Sequence, residues 1–401
     1  MTGVAVAKSI LEQSVKFFLH LFSNGATARN GGHIKTAPYS EYAWLQRELG
    51  PQKARDIVAF ELAHVDALLA LGAEHECGEV REVQTVDVFI DEGEWEAAKD
   101  EVGELEEAMP EVRVEVVEGD EARSRFGLSR PILGAIAYRA GALWPFRLVA
   151  SLWTDLAHRY ADRLRIRTHC PVTAVSSSDK PAYPLSIVAR GATIAARHVV
   201  HATNAFAPQL VPELRQCLTG VLGHMTAQRA ATPVLNASTS CSIIYGPDMY
   251  DYATHRANDT LVGGGLYHSI GHGIDQFGVW DDSRIDHGAL AHVSGSMPAA
   301  YAPRCGPVAV LSAWSGIMAF TGDGLPFVGQ VPPTDGSPSP QWVAAGYCGS
   351  GMVWAWLSGT ALGSMILARP LDPSFPMDNV KMDEDRLERA NLRHLVSHLY
   401  S

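Results

Sequence analysis

The chain of 401 residues is 47% hydrophobic and only 19% charged. These proportions exclude an intrinsically disordered protein, because disordered chains have few apolar residues and many charges, and the length allows two or three domains. Thirty-two Lys and Arg against 44 Asp and Glu leave a net charge of −12. A diffuse attraction to nucleic acid or to an anionic membrane is therefore not expected. A small molecule is the expected partner, and the oligomeric state is left open.

The cysteines are scattered without a CxxC pair, which fits neither a disulfide framework nor a zinc site. They are Cys77, Cys170, Cys217, Cys241, Cys305 and Cys348. No metal site is predicted elsewhere, since His268 and His272 lie four apart in a glycine-containing loop. No signal peptide is evident, because Lys8, Glu12 and Lys16 interrupt the first apolar stretch. We therefore expect reduced thiols and a cytoplasmic protein.

The first predicted element is a helix over residues 9–22, where apolar residues have helical spacing and Asn24-Gly25 follows as a stop. Residues 41–71 also predict helices. Residues 84–117 then predict a strand, a charged surface helix over 93–108 and a second strand. This pattern indicates a small lobe of mixed helix and strand.

Residues 148–164 predict a further helix, and residues 165–202 predict strands joined by tight turns. Strands dominate residues 221–313, with one helix near 283–297. The polar tail predicts a single helix over residues 384–399. The mixture indicates a two-lobed enzyme with α/β and antiparallel-β structure.

An apolar run from Val343 to Ala368 carries no charge and exceeds the roughly 20 residues that span a bilayer. Several glycines and serines interrupt this run. A short strand, a glycine turn and a helix are therefore favoured over a transmembrane segment.

The most informative segment covers residues 342–354 (WVAAGYCGSGMVW). A buried strand that ends in closely spaced glycines and leads into a helix presents free N–H groups and a positive dipole end to a ligand. A turn whose glycines serve only close packing is one alternative. A nucleophile elbow with Cys348 or Ser350 exposed is another, although neither residue meets G-x-S-x-G.

A second segment, residues 313–329 (AWSGIMAFTGDGLPFVG), precedes it and contains a turn at Asp323-Gly324. Together, W-S-G-x5-G-D-G-L-P-F-V-G and A-A-G-Y-x-G-x-G-M resemble the carboxy-terminal signature of the D-amino-acid-oxidase-like flavoproteins, the group that includes glycine and sarcosine oxidases. Residues 25–33 (GATARNGGH), Pro171-Val172 and residues 199–204 (VVHATN) agree in order and spacing. The resemblance covers roughly residues 25–370 and looks most like fungal members.

This resemblance implies an FAD-dependent oxidoreductase that oxidises a C–N bond of an amine or amino-acid-like substrate, with hydride transfer to the flavin and O2 as acceptor. It implies an α/β fold with a Rossmann-like FAD-binding lobe, truncated at the amino terminus, and a substrate lobe with a mixed or antiparallel sheet. Strands at residues 199–202 and 343–345 should then share one sheet. The expected FAD-binding lobe is 1–80, 145–222 and 313–371, the substrate lobe is 81–144 and 223–312, and the helical tail is 372–401.

The resemblance also implies where the flavin binds. The segment Arg29–His33 would lie beside the flavin ring, Val172 at the adenine, Ala202–Asn204 along the dinucleotide, and Gly349–Met352 at the pyrimidine edge. FAD is expected to bind non-covalently. The position at which sarcosine oxidases carry the Cys that links the flavin falls near Gly316 in this sequence, which is not a Cys. The implied cofactor-binding residues are Arg29, Asn30, Gly31, Gly32, His33, Val172, Thr203, Asn204, Gly316, Asp323, Gly349, Gly351 and Met352.

The substrate residues depart from the family pattern. Glycine-oxidase-like members have an Arg that binds the substrate carboxylate where this sequence has Met318, and sarcosine-oxidase-like members have a Lys where it has Val353. Arg256 is therefore our candidate cation for a carboxylate, with a solvated strand-end charge as the alternative. Tyr252 is the candidate hydrogen-bond donor. His33 is the candidate polar group over the flavin, with an ordinary turn residue as the alternative.

A typical family member opens with a strand, G-x-G-x-x-G and a helix, and this motif occurs nowhere in the chain. The pyrophosphate cradle and the ribose carboxylate are therefore expected to be missing. Either an upstream segment is lacking, or the chain binds FAD weakly or not at all. The alternative function is accordingly a truncated or degenerate homologue that keeps the fold without binding FAD productively.

Overall fold

The computed structural model describes residues 1–13, 17–19, 25–302, 304–333 and 339–399. Within these residues the α-helices are α1 (Thr2–Leu11), α2 (Ala26–Arg29), α3 (Pro38–Leu49), α4 (Pro51–Glu74), α5 (Glu92–Ala108), α6 (Gly119–Phe126), α7 (Pro145–Arg159), α8 (His287–Tyr301), α9 (Ala355–Ile366), α10 (Met377–Val380), α11 (Glu384–Arg389) and α12 (Leu392–Leu399). The strands are β1 (Phe17–Leu19), β2 (His33–Ile34), β3 (Arg81–Phe89), β4 (Val114–Glu118), β5 (Gly134–Ala142), β6 (Leu164–Ile166), β7 (Val172–Ser177), β8 (Leu185–Ala189), β9 (Ala192–Ala196), β10 (Val199–His201), β11 (Leu218–Ala230), β12 (Thr239–Gly246), β13 (Met249–His255), β14 (Thr260–Gly264), β15 (Val308–Thr321), β16 (Phe327–Gln330) and β17 (Gln341–Ala345).

The chain forms two compact units. The first comprises Met1–Thr27, Val149–Val221 and Met318–Ser401, and the second comprises Ala28–Leu148 and Leu222–Ile317. Residues 28–80 belong to the second unit, because α3 packs on α5 and α4 packs on β3. The predicted lobes follow from the order of the family motifs, and their boundaries stay a prediction.

The first unit contains a sheet in the order β10, β17, β16. β10 pairs in parallel with β17, with His201 opposite Val343. The expectation that these two segments share a sheet is therefore confirmed. β16 adds to β17 antiparallel, and β7, β8 and β9 form a separate antiparallel meander.

Helix α1 packs along α9 in the same unit. Its apolar residues Val4–Ala7 are buried, and the glycines of α9 allow the close approach. The predicted helix over residues 9–22 is wrong, because α1 ends at Leu11 and residues 17–19 form β1, paired in parallel with β6. Aromatic residues favour strands, and this segment has β6 as a parallel partner. Residues 14–16 and 20–24 lie outside the described residues.

The apolar run from Val343 to Ala368 is a strand, a glycine loop and α9, as expected. Among the described residues, no helix is long and apolar enough to cross a membrane. The predicted tail helix is divided into α11 and α12, because the Ala390 carbonyl accepts a hydrogen bond from the Gly322 N–H instead of continuing a helix.

The second unit is built on a mixed sheet in the order β15, β11, β14, β13, β12, β3, β5, β2, with β4 on β5. Most neighbours are antiparallel, but β12 and β3 are parallel. Strand alternation sends Val86, Cys241 and Ile243 to one face, where they form a core with Val293 and Met297 of α8. The predicted fold class is confirmed, and the opposite face of this sheet carries the candidate site.

Close packing of α1 on α9 predicts the effect of one methyl group. A Cβ at Gly359 would lie 2.7 Å from Ala5 Cβ and 2.8 Å from the Thr2 carbonyl oxygen. Gly359→Ala should therefore lower the free energy of unfolding by about 1–3 kcal/mol through overpacking. Gly103 of α5 has no atom within 4 Å of an added Cβ. Gly103→Ala should raise the free energy of unfolding by roughly 0.5–1 kcal/mol, since alanine favours the helix.

Urea denaturation of both variants beside the wild type measures the two free energies. If both substitutions changed the free energy of unfolding equally and in the same direction, this account of the contact between α1 and α9 would be contradicted.

Candidate active site

Alternating polar residues line the face of the mixed sheet opposite the core. Thr85 and Asp87 of β3 stand beside Ser240 and Ser242 of β12 in parallel register. All four side chains are buried, although they interrupt otherwise apolar strands. Buried polar groups persist only where they are hydrogen-bonded, so this face is a built polar surface.

His33 of β2 lies on this polar face. Its Nε2 is 2.9 Å from Ser240 Oγ and 3.4 Å from Thr85 Oγ1. Burial lowers the pKa of His33 well below its usual range, and the positive charge of Lys35 lowers it further. His33 is therefore neutral near pH 7, although the same shift makes it a weaker base than a free imidazole.

Lys35 and Asp87 form a buried ion pair beside His33. Lys35 Nζ is 2.6 Å from Asp87 Oδ1 and donates to Ser242 Oγ at 2.6 Å. The hydroxyls of Tyr39 and Tyr138 donate to Asp87 Oδ2 at 2.9 and 2.6 Å. Burial raises the pKa of both tyrosines well above their usual range, and Asp87 raises it further, so they stay donors. The negative charge of Asp87 is thus satisfied from three sides.

Sequence reasoning missed this ion pair. The available signal was the alternation of polar and apolar residues in T-V-D-V-F, with a lysine two residues after the predicted His33. A half-buried strand shows such alternation on its solvent side as well, so the pattern alone did not identify a charge in the interior.

Tyr252 of β13 lies on the same face. It stands opposite Ser242 on one side and Gly263 on the other. A Cβ at Gly263 would lie 2.6 Å from the Tyr252 Cζ, so glycine leaves the room that the ring needs. The Tyr252 hydroxyl contacts Met225 Sδ at 3.2 Å, and its ring centroid is 6.3 Å from that of His33. Burial raises the Tyr252 pKa, which keeps the hydroxyl protonated.

The predicted residues Arg29 and Gly316 are in contact. A Cβ at Gly316 would lie 3.0 Å from Arg29 Cβ. Arg29 Nε pairs with Asp282 Oδ2 at 3.2 Å, and Arg29 Nη1 donates to the Ser315 carbonyl at 2.8 Å. Trp314 Nε1 donates to the Arg29 carbonyl at 2.7 Å. This segment is therefore fixed to β15 within the second unit.

The next three predicted residues form a tight loop before β2. The Gly32 N–H donates to Asn30 Oδ1 at 2.7 Å, and Thr254 Oγ1 donates to the Gly31 carbonyl at 2.7 Å. The loop is thereby joined to β13 two residues beyond Tyr252.

Arg256 follows β13 and is held by its neighbours. Its Nε and Nη2 both donate to the Asp259 carboxylate at 2.7 Å. The guanidinium also lies 4.4 Å from the centroid of a Trp144 ring. The prediction that Arg256 binds a substrate carboxylate is not tested by this arrangement, but the bidentate ion pair argues against it.

The first unit contains the other predicted residues. Asn204 Oδ1 accepts from the Gly346 N–H at 3.0 Å, which joins the ends of β10 and β17. Thr203 Oγ1 is buried, and no group in the described part of the chain hydrogen-bonds to it. Val172 begins β7, and Met352 lies in the short turn before α9.

The glycine loop after β17 turns sharply at Cys348 and Gly349, whose φ angles are 47° and 86°. Burial raises the pKa of Cys348 to about 11, and its Sγ lies 3.3 Å from Thr321 Oγ1. A thiol with that pKa is protonated near neutrality, which disfavours the nucleophile-elbow alternative.

Asp323, a predicted cofactor residue, is ion-paired to Arg386 of α11. Arg386 is fully buried, and its Nη2 also donates to the Leu325 carbonyl at 2.7 Å. The tail was predicted as a separate segment, so this contact was not anticipated.

The family model for FAD dependent oxidoreductases matches residues 17–365. Glycine oxidase from Geobacillus kaustophilus is similar in structure, with a TM-score of 0.74, 19% identity and 96% of each chain covered. Iminodiacetate oxidase from Chelativorans sp. BNC1 has a TM-score of 0.73 at 15% identity, covering 95% of this chain and 96% of that one. L-proline dehydrogenase from P. horikoshii has a TM-score of 0.71 at 16% identity, covering 93% and 92%.

No curated protein sequence matches the chain. The structural likenesses, all at low identity, support the fold alone. The family match spans most of the chain and confirms the resemblance carried by the sequence motifs. The chain belongs to the family of FAD-dependent oxidoreductases described by that model.

Proposed function

We propose that the protein oxidises the C–N bond of an amine or amino-acid-like substrate with FAD as cofactor and O2 as electron acceptor. The observation that carries the proposal is the neutral imidazole of His33 beside Tyr252 on a built polar face. The similar structures include oxidases of glycine and iminodiacetate and a dehydrogenase of L-proline. Each of those compounds has a C–N bond. A cytoplasmic location belongs to the same proposal, supported by the free state of all six cysteines.

Two features of the first unit fit a dinucleotide. The Thr203 hydroxyl, which has no hydrogen-bond partner among the described residues, lies just beyond β10, at the carboxyl end of a parallel strand pair, where α/β sheets bind ligands. Around Gly349 there is space, since the nearest atom to an added Cβ is Phe320 Cζ at 3.9 Å. We assign Thr203, Asn204 and the Gly349–Met352 loop to the dinucleotide, and Arg29–His33 to the flavin ring.

When bound, FAD would accept the hydride from the substrate carbon and pass the electrons to O2. An amine holds a proton near pH 7 and loses hydride readily only after losing that proton. In the tautomer that donates Nε2–H to Ser240 Oγ, His33 Nδ1 is the acceptor of that proton. The Tyr252 hydroxyl can donate a hydrogen bond to the neutral amine.

A titration of the 401-residue protein with FAD, followed by flavin fluorescence, tests cofactor binding. We expect binding, but weaker than in a member that has G-x-G-x-x-G. Charged hydrogen bonds contribute roughly 1.5–3 kcal/mol each, so loss of three removes on the order of three decades of affinity or more. Colourless protein that fails to bind added FAD would favour the degenerate homologue. Submicromolar binding would show that another segment replaces the missing cradle.

Removing the Thr203 hydroxyl should weaken FAD binding. We expect Thr203→Val to raise the Kd for FAD by about tenfold to a hundredfold, if the hydroxyl binds a charged phosphate. Ser358 of α9 offers a matched control, because its Oγ is also buried without a hydrogen-bond partner among the described residues. Ser358→Ala should leave the Kd unchanged. Equal FAD binding by wild type and Thr203→Val would refute the assignment of Thr203.

Lys35 should contribute to the low pKa of His33. Because burial and Lys35 both hold the His33 pKa below its usual value, Lys35→Met should raise that pKa. The acidic limb of kcat/KM should then move to higher pH, since protonated His33 cannot accept a proton. An NMR titration of the His33 imidazole checks the pKa directly, with Lys99→Met as control, because Lys99 of α5 is also partly exposed and ion-paired, to Glu96. An unchanged His33 pKa in Lys35→Met would contradict the predicted coupling.

A further inference from the structure

Three cations that adjoin the polar face in the second unit are each paired with a carboxylate. Lys35 Nζ is 2.6 Å from Asp87, and Arg29 Nε is 3.2 Å from Asp282. The Arg256 guanidinium makes two hydrogen bonds of 2.7 Å to Asp259. A fourth, Arg81 of β3, donates to the carbonyls of Ala237 at 2.8 Å, Glu79 at 3.1 Å and His255. A substrate carboxylate at this face would therefore have to displace a protein carboxylate, or the carbonyls bound to Arg81, to gain one of these cations.

Part of the same face, beside these ion pairs, is apolar. Met225, Ala227 and Leu261 form a buried cluster, and Tyr252 and Trp314 pack against it. Such aromatic rings attract ammonium groups through their π faces and cover alkyl or aryl groups. The net charge of −12 also favours the approach of a cation over that of an anion.

We propose that the substrate is an amine with an alkyl or aryl group and no carboxylate. This rests on the proposed function, which it narrows. The amine would release its proton to His33, and its apolar group would lie against Tyr252 and Trp314. An α-carboxylate would lie against this apolar part of the face, where the cations named above are already engaged by protein groups, at a large desolvation cost.

Matched pairs of compounds test this directly, since each pair differs only by the α-carboxylate. The pairs are 2-phenylethylamine and phenylalanine, N-methyl-2-phenylethylamine and N-methylphenylalanine, and hexylamine and 2-aminoheptanoic acid, with both enantiomers of each acid. Isothermal titration of the FAD-loaded protein gives the Kd values, and anaerobic bleaching of the flavin reports oxidation. We expect at least one amine to bind, and every amine that binds to do so at least about tenfold more tightly than its acid.

Equal or weaker binding of the amines, or no binding by any compound, overturns the proposal. If the amino acids reduced the flavin and the amines did not, the proposed substrate class would be overturned and the proposed function would stand. Bound flavin that no compound reduces would count against the proposed function, whereas the titrations still decide the substrate class.

Arg256→Met separates this proposal from a carboxylate-binding Arg256. If the substitution weakens the acids about tenfold more than the amines, Arg256 binds carboxylates and the proposal fails. An equal effect on both members of each pair supports it. Arg139→Met is the control, because Arg139 forms comparable ion pairs with Asp66 and Glu82 at the protein surface.

A different observation carries a second inference, in the first unit. The tail helices α10–α12 lie beyond the segment that matches the family, which ends at residue 365. Yet Arg386 of α11 is 1% exposed and is ion-paired to Asp323. Its Nη2 donates to the carbonyls of Leu325 at 2.7 Å and Pro326 at 3.2 Å. A buried, multiply bonded arginine fixes the turn that it contacts.

The turn fixed by Arg386 is joined to the glycine loop through Thr321. Thr321 Oγ1 donates to the same Leu325 carbonyl at 2.9 Å and lies 3.3 Å from Cys348 Sγ. The Cys348 N–H donates to the Ala319 carbonyl at 2.8 Å. A continuous set of hydrogen bonds thus runs from the tail to the loop that we assign to FAD.

We infer that Arg386 is a positioning residue for the Gly346–Met352 loop, so that the tail is part of the cofactor site. The inference rests on the proposed function, because FAD is the ligand that the loop is proposed to bind. The hydrogen bonds that join Arg386 to the loop are a property of the protein alone. Arg386→Met should speed amide hydrogen exchange in residues 319–325 and in residues 346–352. It should also raise the Kd for FAD by at least about tenfold.

Arg386→Lys, which keeps the charge but loses most of the hydrogen bonds, should give an intermediate effect and guards against a variant that fails to fold. The exposed neighbour Arg389 supplies the control, and Arg389→Met should change neither measurement. Faster exchange confined to the tail, with the glycine loop unchanged, overturns the inference. If the wild type binds no FAD, the exchange measurement still decides it.

Discussion

The buried ion pair between Lys35 and Asp87 is the constraint on which the candidate site depends. A buried charge is tolerated only when it is paired and hydrogen-bonded, and Asp87 receives Lys35 and two tyrosine hydroxyls. The same lysine holds Ser242 and disfavours a proton on His33. One interaction therefore joins three strands of the sheet and adds to the burial that keeps the His33 imidazole neutral. Loss of either partner would leave an uncompensated charge in the interior.

The first unit contains a second ion pair of this kind, formed by different residues. Arg386 satisfies Asp323 in a buried ion pair, and the carbonyl of Leu325 links that pair to Thr321 and to Cys348. In both ion pairs the charges are balanced within the protein, and the groups beside them are a neutral imidazole, hydroxyl groups, glycine backbone and aromatic rings. Such surfaces suit a neutral or cationic organic substrate better than a carboxylate.

The sequence predicted those parts that depend on local pattern. The strand, glycine loop and helix between residues 341 and 366 follow from glycine spacing, and the helices α3 and α4 follow from apolar periodicity. Helix α5 follows from its charged, surface-type pattern. Both ion pairs escaped prediction because their partners are distant in sequence, 52 residues apart for Lys35 and Asp87 and 63 for Asp323 and Arg386. Helix α1 was misplaced because its apolar residues Val4–Ala7 are consecutive and show no helical period. Arg256 looked available as a cation because Asp259, three residues away, gave no sign of a bidentate pair.

The central claim is that neutral His33 accepts the substrate proton. Stopped-flow mixing of FAD-loaded protein with an amine, without oxygen, measures the rate of flavin reduction across pH. In the wild type the rate should fall at low pH with one titrating group, and in His33→Asn it should be lower by about 10²–10⁴-fold and lose that pH dependence. A His33→Asn variant that reduces its flavin at the wild-type rate, with the same pH profile, would contradict the account.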